Sequence, residues 1–152
     1  MIKSTKTVQE ILEDILSKDP QKVWAASCAI ISFGQDEEVI NKLLPFLDKI
    51  KKGTRGVALG GYLAPNQRFV DKAIKTISFY QENKSCSCCL FDELSNPVDE
   101  QKNGNVFLLE TVAYPDSSYV DYYRVQCKKC NAGYQVFERQ SHFPWWEWIL
   151  LT

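Results

Sequence analysis

The sequence predicts an α+β chain, with helical hairpins over residues 1–84 and a small antiparallel β domain over residues 85–152. Three observations predict it. Apolar residues recur at helical spacing from Val8 to Tyr80. Apolar strand-like runs take over from Val106, broken by turn residues at Pro115-Asp116 and Asn131-Ala132-Gly133. Two cysteine clusters, Cys86-Ser87-Cys88-Cys89 and Cys127-Lys128-Lys129-Cys130, bracket the start of the second part.

The first helix opens at Thr7-Val8-Gln9-Glu10, a capping box with Thr7 as N-cap and Glu10 reaching back. Val8, Ile11, Leu12 and Ile15 give its apolar face, and it ends near Lys18 because Pro20 disfavours helical geometry at Asp19. Asp19-Pro20 then restarts the chain as a second helix, Gln21 to Phe33, with Asp19 as cap. Its centre, Val23 to Ile31, is apolar almost all round, so it is the helix expected to be most buried. Asp36-Glu37-Glu38 opens a third helix with acid at its positive end, and Pro45 should kink it. A fifth helix is expected from Arg68 to Glu82, with Asn66 as its cap.

Gly53, Gly56, Gly60 and Gly61 invite a phosphate-loop reading, but Tyr62-Leu63 stand where Lys and Ser/Thr belong. Close helix packing is the expected reason for these glycines, with a short helix from Val57 to Leu63. Beyond the first cysteines, Leu94 to Asn105 reads as an exposed polar loop. Val106 to Tyr114 reads as a strand buried on both faces, Tyr119 to Gln126 and Tyr134 to Arg139 as further strands, and Trp146 to Leu150 as a last strand or short helix.

Paired thiols at C-x-x-C spacing close tight turns that aim both sulfurs at one point. Cys86 and Cys89 match the spacing of Cys127 and Cys130, with Cys88 left out or an alternate ligand. Four thiolates make a closed tetrahedral Zn2+ site, which is structural because no position stays open for substrate. The domain is thus expected to be zinc-ribbon-like. A cytosolic location is expected, where thiols stay reduced and paired cysteines favour metal over disulfide. Cys28, in the second helix, is expected to be a small core residue.

Residues 1–84 carry 13 Lys/Arg against 10 Asp/Glu, whereas residues 85–152 carry 5 against 9. Neither half is strongly basic, which argues against nucleic acid as the partner. No apolar run reaches the length of a membrane span. No catalytic motif stands out. His142 is the single histidine and lies beside Pro144 and three Trp. Asp92, Glu93, Asp99 and Glu100 read as solvated surface. The expectation is a non-enzymatic protein. In the tail, Trp146 and Trp148 should share one strand face, with one tryptophan exposed as an anchor.

Residues 19–52 resemble a HEAT-type repeat, carried by Asp19-Pro20, Trp24-Ala25-Ala26, Asp36-Glu37-Glu38-Val39-Ile40 and Leu43-Leu44-Pro45-Phe46-Leu47. That resemblance implies a binding surface. The knuckle Val125-Gln126-Cys127-Lys128-Lys129-Cys130, the return strand at Gly133-Tyr134 and the ending Pro144-Trp145-Trp146-Glu147-Trp148 resemble bacterial immunity proteins of polymorphic or contact-dependent toxin systems. The resemblance implies a cytoplasmic inhibitor of one cognate toxin domain. The acidic second half suits a basic partner such as a nuclease domain, and Asp99, Glu100, Asp116 and Asp121 are the expected partner-binding residues. A zinc-ribbon nucleic-acid-associated factor and a HEAT-type scaffold are the alternatives.

Overall fold

A computed structural model describes residues 1–63, 65–82 and 85–152. The chain is α+β: six α-helices and a four-stranded antiparallel sheet among the described residues. It divides into two compact units, Lys3–Ser87 and Met1–Ile2 with Cys88–Thr152.

The first unit is helical. Helix α1 (Val8–Ile15) carries the capping box: the Glu10 amide donates to Thr7 Oγ1 at 3.2 Å, and the Thr7 amide to Glu10 Oε2 at 2.7 Å. Asp19 Oδ1 accepts from the Gln21 and Lys22 amides, both at 3.0 Å, and starts helix α2 (Pro20–Ser32). Pro20 sits in the first turn, where its missing N–H costs nothing. Asp36 caps helix α3 (Glu37–Leu43). Pro45 then breaks the helical path through a 3-10 turn, Leu44–Phe46, before helix α4 (Leu47–Thr54). Helix α5 (Gln67–Glu82) buries Val70, Ala73, Thr76, Ile77 and Phe79.

The core of this unit gathers Ile11, Ile15, Ile30, Ile40, Leu43, Ile50 and Ile77, each fully buried. Each such side chain contributes roughly 1.5–3 kcal/mol relative to exposure. Buried hydroxyls on these helices bond back to the preceding turn. Ser27 donates to the Val23 carbonyl, Thr54 to Ile50 and Thr76 to Lys72, each at 2.8 Å. Their polar atoms are satisfied within the helix itself.

Residues 57–63 are not helical. Gly56, Gly60 and Gly61 hold φ of 77°, 72° and 103°, which no right-handed helix accepts. These glycines therefore turn the chain. Gly53 does serve close packing, since a Cβ there would stand 2.9 Å from Leu16 Cδ2.

The second unit is a meander. Strands β1 (Val106–Ala113), β2 (Val120–Cys127), β3 (Gly133–Gln140) and β4 (Pro144–Leu150) lie in chain order, each antiparallel to the next. Tyr123, Val125 and Cys127 of β2 and Tyr134 and Val136 of β3 are buried on one face. On β4, Trp146 pairs with Glu138 and Trp148 with Val136, so these two indoles share that face. Trp148 stacks on Phe91 with centroids 4.5 Å apart and donates Nε1–H to the Ser95 carbonyl at 2.9 Å. Trp145, Trp146 and Trp148 are all half-buried, so none is the exposed anchor expected; the exposed tryptophan is Trp24 of α2.

Two further expectations are corrected. Strand β1 buries only Val106, because it is an edge strand and a bulge between Leu108 and Glu110 breaks its alternation. The segment 94–105 is not a plain loop. Asn96 caps helix α6 (Pro97–Lys102) by accepting from the Val98 amide at 2.9 Å, and Pro97, Ser95 and Glu100 are buried.

Candidate metal centre

Four sulfurs converge. Those of Cys86, Cys88, Cys127 and Cys130 all lie within 4.8 Å of one another. Local structure explains how the chain delivers each. Cys127 ends β2, where its neighbours Tyr123 and Val125 are already fixed in the buried face. Lys128 and Lys129 make the turn, and Asn131 follows at φ 62°, a left-handed conformation that Asn tolerates well. The Cys127 amide donates to the Ala132 carbonyl at 2.8 Å, and the Asn131 amide to the Cys127 carbonyl at 3.0 Å. The knuckle is thus tied by the chain's own hydrogen bonds.

On the other side, Ser87–Leu90 forms a 3-10 turn. Gln35 holds Ser87: its Nε2 donates to the Ser87 carbonyl at 2.9 Å, and Ser87 Oγ donates to Gln35 Oε1 at 2.8 Å. Leu90 is buried and anchors the end of the turn. With Ser87, Cys88 and Leu90 turned inward, Cys89 is left exposed. C-x-x-C spacing selects Cys89; the sulfur that stands with the other three is that of Cys88.

The geometry suits a tetrahedral thiolate ion. Ligand bonds of about 2.3 Å put tetrahedral sulfurs roughly 3.8 Å apart. Cys88 and Cys130 sulfurs stand at 3.6 Å, well beyond a disulfide bond. None of the six cysteines is in a disulfide. The Lys129 amide donates to Cys127 Sγ at 3.4 Å. The Tyr134 hydroxyl lies 3.2 Å from Cys88 Sγ. Burial, then its bond to Cys88 and the neighbouring thiol charges, pushes the Tyr134 phenol well above its usual range. Facing a thiolate, which has no proton to give, this hydroxyl would be the donor. Cys88 and Cys127 are buried, Cys86 half-buried and Cys130 exposed.

Gln35 and Tyr134 were not legible as supports of this site. Gln35 lies far from any cysteine in sequence, and Tyr134 reads as an ordinary strand residue. Cys28 lies apart in α2, and burial raises its thiol pKa to about 11, as suits a packing residue.

The four acidic residues expected to bind a partner do not form one patch. Asp99 Oδ2 accepts from the Met1 amine at 2.8 Å, and Asn103 Nδ2 donates to the Met1 carbonyl at 2.8 Å. Glu100 is buried and accepts from Asn105 Nδ2 at 2.7 Å. Both belong to α6, just ahead of the start of β1. Asp116 and Asp121 lie at the opposite end of the β1–β2 hairpin, about 26 Å away along an eight-residue strand. Asp116 is exposed at the turn with φ 56°. His142 is exposed in the bend between β3 and β4.

No helix among the described residues is long and apolar enough to cross a membrane. Comparison with known proteins finds no matching family model, no matching curated protein and no matching solved structure.

Proposed function

We propose that the chain is a non-enzymatic protein-binding inhibitor, in the manner of an immunity protein that neutralises one toxin domain. Its scaffold is held by a structural Zn2+ on Cys86, Cys88, Cys127 and Cys130. The observation that carries this reading is the surface of the β unit. Residues 88–152 hold five Lys/Arg against nine Asp/Glu, yet expose Phe107, Leu109, Tyr114, Tyr119 and Ile149. Large apolar and tyrosyl side chains set in an acidic surface suit a basic protein partner. A closed set of four thiolates supplies folding free energy and holds no substrate.

A zinc-ribbon nucleic-acid-associated factor is the second reading. Lys128 over the Phe107 ring at 4.7 Å and Arg139 over Phe137 at 4.6 Å favour it, because stacked aromatics with cations suit bases. The net −4 of residues 88–152 opposes it.

Affinity capture from lysate of the source cell, followed by a high-salt wash and mass spectrometry, separates the two. One stoichiometric protein encoded beside this chain supports the inhibitor. Recovery of nucleic acid with ribosomal or transcription components alone overturns it.

A further inference from the structure

We propose that the tip of the β1–β2 hairpin, Tyr114 to Asp121, is the docking surface for a partner protein that presents a Lys/Arg patch. This rests on the protein-binding reading and assigns it a place.

The tip presents two tyrosines. Tyr119 is 74% exposed and Tyr114 43% exposed. An exposed tyrosine offers a large, rigid, amphipathic surface with only two side-chain torsions to immobilise, and such side chains dominate binding energy at interfaces. The loop that carries them is already tied. The Tyr114 amide donates to the Tyr119 carbonyl at 3.0 Å, the Ser117 amide to the Tyr114 carbonyl at 3.2 Å, and the Tyr119 amide to Ser117 Oγ at 3.0 Å. A tied loop loses little freedom on binding, so more of the contact energy survives as affinity. Behind the tyrosines opens a cavity of about 330 Å3 lined by Tyr114, Tyr119, Val120, Glu138 and Arg139. It can receive a partner side chain.

Charge decides the partner. From Thr111 to Tyr123 the chain carries Asp116 and Asp121 and neither Lys nor Arg. Glu138 adds a third carboxylate at the cavity wall. The cation there, Arg139, is engaged by Glu147 at 2.9 Å. The tip therefore presents negative charge beside apolar area, complementary to a basic patch. At the other end of the hairpin, Asp99 is engaged by the Met1 amine and Glu100 is buried. Neither can contribute comparable charge to a partner.

The test uses the full chain, and its probe is the protein that the wild-type chain captures, purified on its own. Binding is titrated for wild type, Tyr119→Ala, Asp116→Asn and Lys102→Ala, at low and moderate salt. Asn accepts the left-handed backbone at position 116, and Lys102 lies on α6 at the far end of the hairpin. Unchanged melting temperatures verify that each variant folds. Tyr119→Ala should weaken binding about tenfold or more. Asp116→Asn should slow association and flatten its salt dependence, and Lys102→Ala should bind as wild type. If wild type binds and Tyr119→Ala binds equally well, the docking surface is wrong while the protein-binding reading stands. If wild type captures no protein, both fall together.

Discussion

The hydroxyl of Tyr134 lies 3.2 Å from the sulfur of Cys88, in a buried contact on the inner face of the sheet. Burial, then the bond to Cys88, raises the phenol pKa; with Cys88 bound as a thiolate to the proposed Zn2+, the hydroxyl would be the donor of this pair. Such a donor orients the ligand and spreads its charge. Tyr134→Phe should leave the sheet folded and lower Zn2+ affinity about tenfold or more, read by competition with a chelator of known affinity. Unchanged affinity would remove Tyr134 from the metal site.

Cys88 and Cys89 make opposite predictions. Cys89→Ser should still bind one Zn2+ and give the absorption of four-thiolate Co2+ after metal exchange. Cys88→Ser should lose that spectrum. The reverse pattern would restore the ligand set selected by C-x-x-C spacing and contradict the inward turn of Cys88.

Asn131 holds the chain's return from the second cysteine pair at φ 62°. Asn131→Gly should change stability by no more than about 0.5 kcal/mol, since Gly accepts this backbone freely. Asn131→Val should cost about 1–2 kcal/mol and weaken metal binding in parallel, because a branched Cβ clashes there. Equal stability of the two variants by chemical denaturation would show that the turn relaxes.

Tyr123 gives a pH prediction. Burial first, then its bond to Glu138 at 2.9 Å, pushes the phenol up to about 12 from an ordinary value of 10. The folded state thus keeps a proton that the unfolded state releases, so stability falls as pH rises from about 10 to about 12. Tyr123→Phe should show a shallower decline of melting temperature across that window. At neutral pH it should cost about 1 kcal/mol for the lost hydrogen bond. An identical decline in both proteins would assign the alkaline loss to other groups.

Much of the helical unit could be read in advance because its signals are local. Thr7 with Glu10, and Asp19 with Pro20, act within one turn, and the structure shows each bond the pattern implies. The errors came where the deciding partner is distant or the signal is shared. Asn96-Pro97 marks a helix start as well as a turn, and the polar residues after it concealed Glu100, buried against Asn105. The apolar run of β1 looks the same in sequence whether central or at an edge; the strand order decides it. At the candidate metal centre, spacing located the converging segments, but a 3-10 turn over Ser87–Leu90 buries Cys88 and exposes Cys89, which C-x-x-C spacing does not encode. The hairpin tip was legible as a turn, whereas the exposure of its tyrosines was not.

The meander order of the sheet sets when the four sulfurs can meet. Each strand pairs with its neighbour in sequence across a short connection, so pairing requires only small loops to close. The thiols need residues 86–88 to meet residues 127–130, a longer closure with a larger entropic cost. Hairpins should therefore zip first and the sulfurs meet late, after the transition state for folding. An ion that arrives late does not hasten folding. The proposed Zn2+ would then act as a latch, expected to lengthen the lifetime of the folded β unit while leaving its refolding rate unchanged; stopped-flow refolding that quickens with added Zn2+ would contradict this order of events.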